Sequence, residues 1–82
     1  MSISWRNLRN VTAREIISAL IRDGFELRSQ SGSHQRYRHP DERRVTVTFH
    51  SPGQTFSIGT LQRMVRDQAQ RTEEDLRRLG LV

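Results

Sequence analysis

The spacing of the apolar residues changes twice along this chain, and these changes limit the folds that it can adopt. Residues 16–21 place isoleucine and leucine at the spacing of an amphipathic helix. Between residues 25 and 49 apolar and polar residues alternate, which is the period of strands with one buried face. Helical spacing returns over residues 58–65. The order of helix, strands and helix predicts an α+β fold.

Capping residues predict where the helices begin and end. Thr12 and Glu15 have the spacing of a capping box, and Gly24 stands where a left-handed helix end is favoured. Ser57 is a suitable cap for the second helix. Its buried stripe is expected to contain Ile58, Leu61, Met64 and Val65.

The two ends of the chain carry weaker patterns. Thr72, followed by three acidic residues, predicts a short C-terminal helix over residues 72–80 that Leu76 and Leu79 pack down. Residues 1–10 show no clear period, and we expect them to form a flexible or loosely docked arm.

Three short strands are predicted between the helices. The first covers residues 25–30, with Phe25 and Leu27 on its buried side. The second covers residues 33–39, and residues 40–43 form the turn to the third, whose apolar side is Val45, Val47 and Phe49. Connections this short imply an antiparallel meander with helices on one face. The result is a two-layer sandwich with the layout of a double-stranded-RNA-binding domain.

Alternation divides the second strand into two faces. Gln35, Tyr37 and His39 share one face, and only this face has an aromatic residue to bury. The other face carries His34, Arg36 and Arg38, and we expect it to be exposed.

Composition narrows the class of protein. A chain of 82 residues suits one compact domain, here residues 1–82. The absence of cysteine excludes disulfides, thiolate nucleophiles and thiolate zinc sites. Since no long apolar stretch is present, neither a membrane segment nor a secretion signal is predicted, and the expected location is the cytoplasm.

The basic residues indicate an anionic partner. The net charge is +5, and all fourteen basic residues are arginine. Arginine binds phosphate through a planar fork and stacks on bases, so this surface suits nucleic acid. A basic surface that only keeps the protein in solution is the alternative.

Residues 32–40 carry the candidate chemistry. A neutral imidazole at His34 could take a proton from a ribose 2′-hydroxyl, so that the 2′-oxygen attacks the adjacent phosphodiester. Arg36 and Arg38 on the same strand, and Arg44 on the neighbouring strand, could hold phosphate. This chemistry needs no metal or cofactor. The alternative is a surface histidine beside a solvated arginine face, with Ser33 only part of a hairpin.

Three histidines also raise the possibility of a zinc site. His34 and His39 are five positions apart and therefore lie on opposite faces of a strand, so we predict no metal site. His39 is expected to be partly buried near the turn, and His50 to lie in a loop beside the exposed face.

Several segments together resemble the HicA toxin family. They are Thr12–Glu15, Asp23–Phe25, Gly32–His34 with Tyr37, His39–Asp41, Arg44–Val47, His50, and Gly59–Leu61 followed by Arg63–Val65. The likeness runs from about residue 12 to residue 67. The sequence departs from the family pattern at residues 48–49 and 57–58, before the loop histidine and at the helix start.

The resemblance implies a double-stranded-RNA-binding-like fold and an mRNA interferase, the toxin of a type II toxin–antitoxin system. It carries the catalytic role over to His34, implies no metal or small-molecule cofactor, and names an antitoxin of the HicB type as protein partner. Ser33, Arg36, Arg38 and Arg44 are then the candidate RNA-binding residues. A noncatalytic RNA- or DNA-binding module and a regulatory partner-binding domain are the alternatives.

Overall fold

The computed structural model describes residues 3–82 as a three-stranded antiparallel sheet covered by helices. The strands lie in the order β1-β2-β3. The elements are α1 (Trp5–Leu8), α2 (Ala13–Arg22), β1 (Glu26–Ser31), β2 (His34–Arg38), β3 (Arg44–Thr48), α3 (Ile58–Leu61), a π-helical segment (Gln62–Gln68) and α4 (Glu73–Arg78). This α+β architecture confirms the predicted fold class and its meander.

The predicted capping box forms at Thr12, and Thr72 forms a second one that was not predicted. The Thr12 hydroxyl accepts the Glu15 backbone N–H, and the Glu15 carboxylate accepts the Thr12 backbone N–H at 3.1 Å. That hydrogen bond holds the pKa of Glu15 below its ordinary value. Thr72 and Asp75 repeat the arrangement at α4. Gly24, with φ of 97°, ends α2 as predicted, and an added Cβ there would lie 3.0 Å from the His39 ring.

The second predicted helix changes its hydrogen bonding after one turn. Ser57 caps α3 by accepting the Thr60 N–H at 3.3 Å, as expected. The helix then continues as the π-helical segment, in which the Ala69 N–H donates to the Met64 carbonyl at 2.8 Å. Ile58, expected in the buried stripe, is 38% exposed because it lies in the first turn, outside the core.

One face of the sheet packs on the helices. Tyr37 pairs with Val45 and Gln35 with Val47, and the two valines and the tyrosine are buried. The Tyr37 hydroxyl donates to Gln35 Oε1 at 2.7 Å, and burial raises the pKa of Tyr37. His34, Arg36 and Arg38 therefore lie on the opposite face, as the alternation predicts.

The first strand does not bury one side, and that part of the prediction is wrong. Phe25 is buried but precedes the strand, whereas every residue of β1 is exposed and Leu27 is 48% exposed. A bulge at Arg28 shifts the pairing with β2. The described core cluster includes none of the residues of β1, whereas β3, the other edge strand, contributes Val45 and Val47, so alternation alone does not decide burial.

The predicted N-terminal arm is also wrong over residues 3–10; residues 1 and 2 lie outside the described part of the chain. Trp5–Leu8 is a helix, Leu8 is fully buried, and Ile3 and Trp5 pack against the core. One helical turn is too short to show a period in sequence, so only tertiary packing reveals it.

The third strand ends one residue earlier than expected. Phe49 follows β3 and packs half-buried against the core, and its backbone N–H donates to the Ser33 carbonyl at 3.1 Å.

Within residues 3–82, no helix has the length and apolar character needed to cross a membrane.

The predicted C-terminal helix is present and docks through ion pairs as well as Leu76 and Leu79. The Asp23 carboxylate accepts hydrogen bonds from Arg71 Nε at 2.6 Å and from Arg78 Nη2 at 3.1 Å. The Asp23 carboxylate is only 5% exposed. We call Asp23, Arg71 and Arg78 the C-terminal corner.

Candidate functional site

The face of the sheet turned away from the helices, here called the open face, is built from three rows of paired residues. Cross-strand neighbours in each row present their side chains to the same side. The rows are Ser31, His34 and Thr48; then Ser29, Arg36 and Thr46; then Glu26, Arg38 and Arg44.

His34 begins β2 directly after a tight hairpin. It pairs with Ser31 across two turn residues, of which Gly32 has φ of 58°, a conformation that glycine adopts without strain. The imidazole is exposed, and its Nδ1 lies 3.1 Å from Thr48 Oγ1. The hairpin and this hydrogen bond orient the ring and leave Nε2 without a protein partner among residues 3–82.

Ser33 occupies the second turn position next to His34. Its carbonyl accepts the Phe49 N–H, which ties the hairpin to the end of β3. The side chain is partly exposed. Ser33 thus has a definite structural contact through its backbone and directly precedes the candidate histidine in the chain.

The arginines of the open face differ in what they contact. Arg36 is two residues from His34 on the same side, about 7 Å along the strand, and it is exposed. Neither Arg36 nor Arg44 has a carboxylate within 4 Å among residues 3–82. They are the cations of this face that are best placed to take an anionic ligand.

Arg38 is instead engaged within the protein. Its Nη2 lies 2.6 Å from the Glu42 carboxylate, and this contact holds the pKa of Glu42 below its ordinary value. Arg28 lies at the longer distance of 3.9 Å from Glu26. The four arginines border a cavity of about 420 Å³ on the open face.

The other two histidines lie in different surroundings. His39 packs edge-on against Phe25, with ring centroids 5.0 Å apart, and its Nε2 lies 3.1 Å from the Asp23 carbonyl oxygen. It is partly buried, as predicted. His50 is exposed in the loop after β3. No group of three potential metal ligands occurs within residues 3–82.

Sequence reasoning overlooked Thr48. The hairpin register places it directly opposite His34, so a prediction of strand pairing would have found it. The alternation pattern classified Thr48 only as a polar residue of the third strand, because alternation assigns faces but not partners.

The architecture and this face define a small α+β protein with a histidine and unpaired arginines on an open sheet. A family model described as the HicA toxin of bacterial toxin–antitoxin systems matches residues 13–70. The chain belongs to the HicA toxin family. No similar sequence was found among curated proteins.

Proposed function

We propose that this protein is the toxin of a type II system and that it cleaves mRNA as a metal-independent endoribonuclease, with His34 as catalytic base. The observation that carries the proposal is the exposed His34 ring, held at Nδ1 by Thr48 with Arg36 beside it on the same face. Membership of the HicA family supports the toxin role. Since its substrate is mRNA, the protein would act in the cytoplasm.

The hydrogen bond to Thr48 suggests which ring nitrogen reacts. When Nδ1–H donates to Thr48 Oγ1, the lone pair of Nε2 is free to accept a proton. Nε2 removes the proton of a ribose 2′-hydroxyl, and the 2′-oxygen bonds to the adjacent phosphorus. The bond from phosphorus to the 5′-oxygen breaks, and this oxygen takes a proton from water. The products are a 2′,3′-cyclic phosphate and a 5′-hydroxyl end.

Arginines would stabilise the charge that develops during this step. The phosphorus carries additional negative charge in the transition state, and fixed cations at the site lower its free energy. Arg36 is nearest along the strand, and Arg44 lies one row further on β3. Arg38 and the Ser33 hydroxyl are proposed as further RNA contacts, with Arg38 first having to leave Glu42.

The decisive experiment compares His34→Ala with His50→Ala in an RNA-cleavage assay carried out in EDTA. Loss of a general base costs roughly 10²- to 10⁴-fold in rate, whereas the exposed loop residue His50 should be dispensable. RNA binding, measured by fluorescence anisotropy, should persist in His34→Ala. Equal cleavage by wild type and His34→Ala would refute the assignment. Binding without cleavage by wild type would indicate a noncatalytic nucleic-acid-binding module.

The proposed protein partner is an antitoxin of the HicB type that covers the open face. An acidic partner surface would be attracted to the unpaired arginines there. Expression of the toxin alone should arrest growth, and expression of the neighbouring antitoxin gene should relieve the arrest. A partner that relieves the arrest without protecting His34 from modification by diethyl pyrocarbonate would not bind as proposed.

A further inference from the structure

A polar groove of about 510 Å³ lies between β3 and α3, beside the open face. Several hydroxyl groups line it, from Thr46 and Thr48 on the strand and from Ser57 and Thr60 at the helix cap and first turn, together with the apolar side chains of Phe56 and Met64. Arg63, the first-turn residue of the π-helical segment, adds a guanidinium group. Such a lining offers hydrogen-bond donors and one positive charge.

The groove is continuous with the site of His34. Thr48, which contacts His34 Nδ1, is also a wall of the groove. Thr46 borders both the groove and the cavity that contains Arg36 and Arg44. A polynucleotide that passes over His34 can therefore extend from the arginines of the open face into the groove.

Arg63 forms no close ion pair with a carboxylate among residues 3–82, although its charge contributes to lowering the pKa of Asp67. Arg63 is exposed and has no acidic group within 4 Å among residues 3–82, and the nearby Asp67 is bonded to Arg66 at 2.8 Å. An arginine that lines a groove beside several hydroxyl groups is suited to a phosphodiester, because it can donate two parallel hydrogen bonds to phosphate oxygens.

We propose that this groove is a second RNA subsite, in which Arg63 binds a backbone phosphate next to the one that is cleaved. The inference rests on the proposed function and adds the path that the RNA strand takes beyond His34. A single strand fits better than a duplex, since attack by the 2′-oxygen requires a backbone that can bend into line. Arg63 is a binding residue and takes no part in proton transfer.

The test measures RNA binding in a His34→Ala background, so that it does not depend on cleavage. The probe is a fluorescein-labelled single-stranded RNA, and its anisotropy is read at two salt concentrations. Arg63→Ala should weaken binding about five- to tenfold and reduce the salt dependence by about one phosphate contact. Arg66→Ala removes the same charge from the same helical segment, but outside the groove, and should cost less than twofold. Arg63→Lys should retain most of the affinity.

A second arm uses the active protein and two substrates. Arg63→Ala should lower kcat/KM on an oligonucleotide but leave cleavage of a dinucleotide, which has a single phosphodiester, unchanged. Equal losses on both substrates would place Arg63 at the scissile phosphate and overturn a separate subsite.

The two proposals fail in different ways. If the wild-type protein does not cleave RNA, the proposed function fails. The anisotropy measurement of RNA binding still tests whether the groove is a subsite. Equal losses of affinity for Arg63→Ala and Arg66→Ala would overturn the subsite. So would a loss of antitoxin affinity in Arg63→Ala with RNA affinity unchanged, since the groove would then serve a protein partner.

Discussion

Arginine has different surroundings on the open face and at the C-terminal corner. On the open face, Arg36 and Arg44 are exposed and have no carboxylate within 4 Å among residues 3–82. At the corner, Arg71 is 19% exposed and bonded at 2.6 Å to a nearly buried Asp23. Arginine content therefore indicates a ligand-binding surface only where folding leaves the guanidinium groups unpaired.

The largest difference should appear on removing Asp23. Asp23→Ala leaves Arg71 partly buried without its acceptor, and the free energy of unfolding should fall by about 2 to 4 kcal/mol. Urea unfolding followed by circular dichroism measures this. Arg36→Ala, which removes an exposed and unpaired cation, should stay within about 0.5 kcal/mol of wild type. Similar stabilities for Asp23→Ala and Arg36→Ala would contradict the comparison.

The converse effect should appear in activity. Arg36→Ala should lower kcat/KM for RNA cleavage about 10- to 100-fold, because a charge that stabilises the transition state is lost. Arg77→Ala is the matched control: it removes an exposed arginine that pairs with Glu73 on α4. If both variants lose activity equally, net charge and not position governs the reaction.

A smaller change should turn a paired arginine into a binding one. Glu42→Gln removes the charge that holds Arg38, and RNA affinity in the His34→Ala background should rise about two- to fivefold. Glu74→Gln adds the same net charge on α4, where the acid is exposed and has no ion pair among residues 3–82. A gain of the same size in Glu74→Gln would exclude release of Arg38 as the cause.

The smallest effect concerns acid stability at the turn before β3. Hydrogen bonding from Arg43 lowers the pKa of Asp41 from 3.8 to about 2. Because the pKa of Asp41 is lower in the folded state, its stabilising effect is present above the pKa of the unfolded state. The effect is lost as pH falls through the pKa of the folded state. The free energy of unfolding, measured between pH 5 and pH 2, should therefore decline from about pH 4 downwards. The decline should be less steep in Asp41→Asn. An identical slope in Asp41→Asn would show that Asp41 does not contribute.

The successes and failures of sequence interpretation follow the range of the interactions. The contact of Thr12 with Glu15 spans three residues and formed as predicted, and the helix predicted to start at Thr72 is present. Leu27 and Leu8 were misjudged, because burial depends on whether distant elements cover a residue. The faces of β2 followed from alternation, which is local, whereas the partner of His34 depends on the strand register, which alternation alone does not give.

The sequence by itself determined the helix caps, the turns and the two faces of β2, because each depends on neighbours within a few residues. Several arginines pair with acids within four residues, but tertiary structure alone decided the long-range pairs. Asp23 pairs with Arg71, 48 residues away, and with Arg78, 55 residues away. These charges are therefore paired because α4 docks on the core, which composition does not reveal. The same packing leaves Arg36 and Arg44 exposed beside His34, because the helices cover only the other side of the sheet.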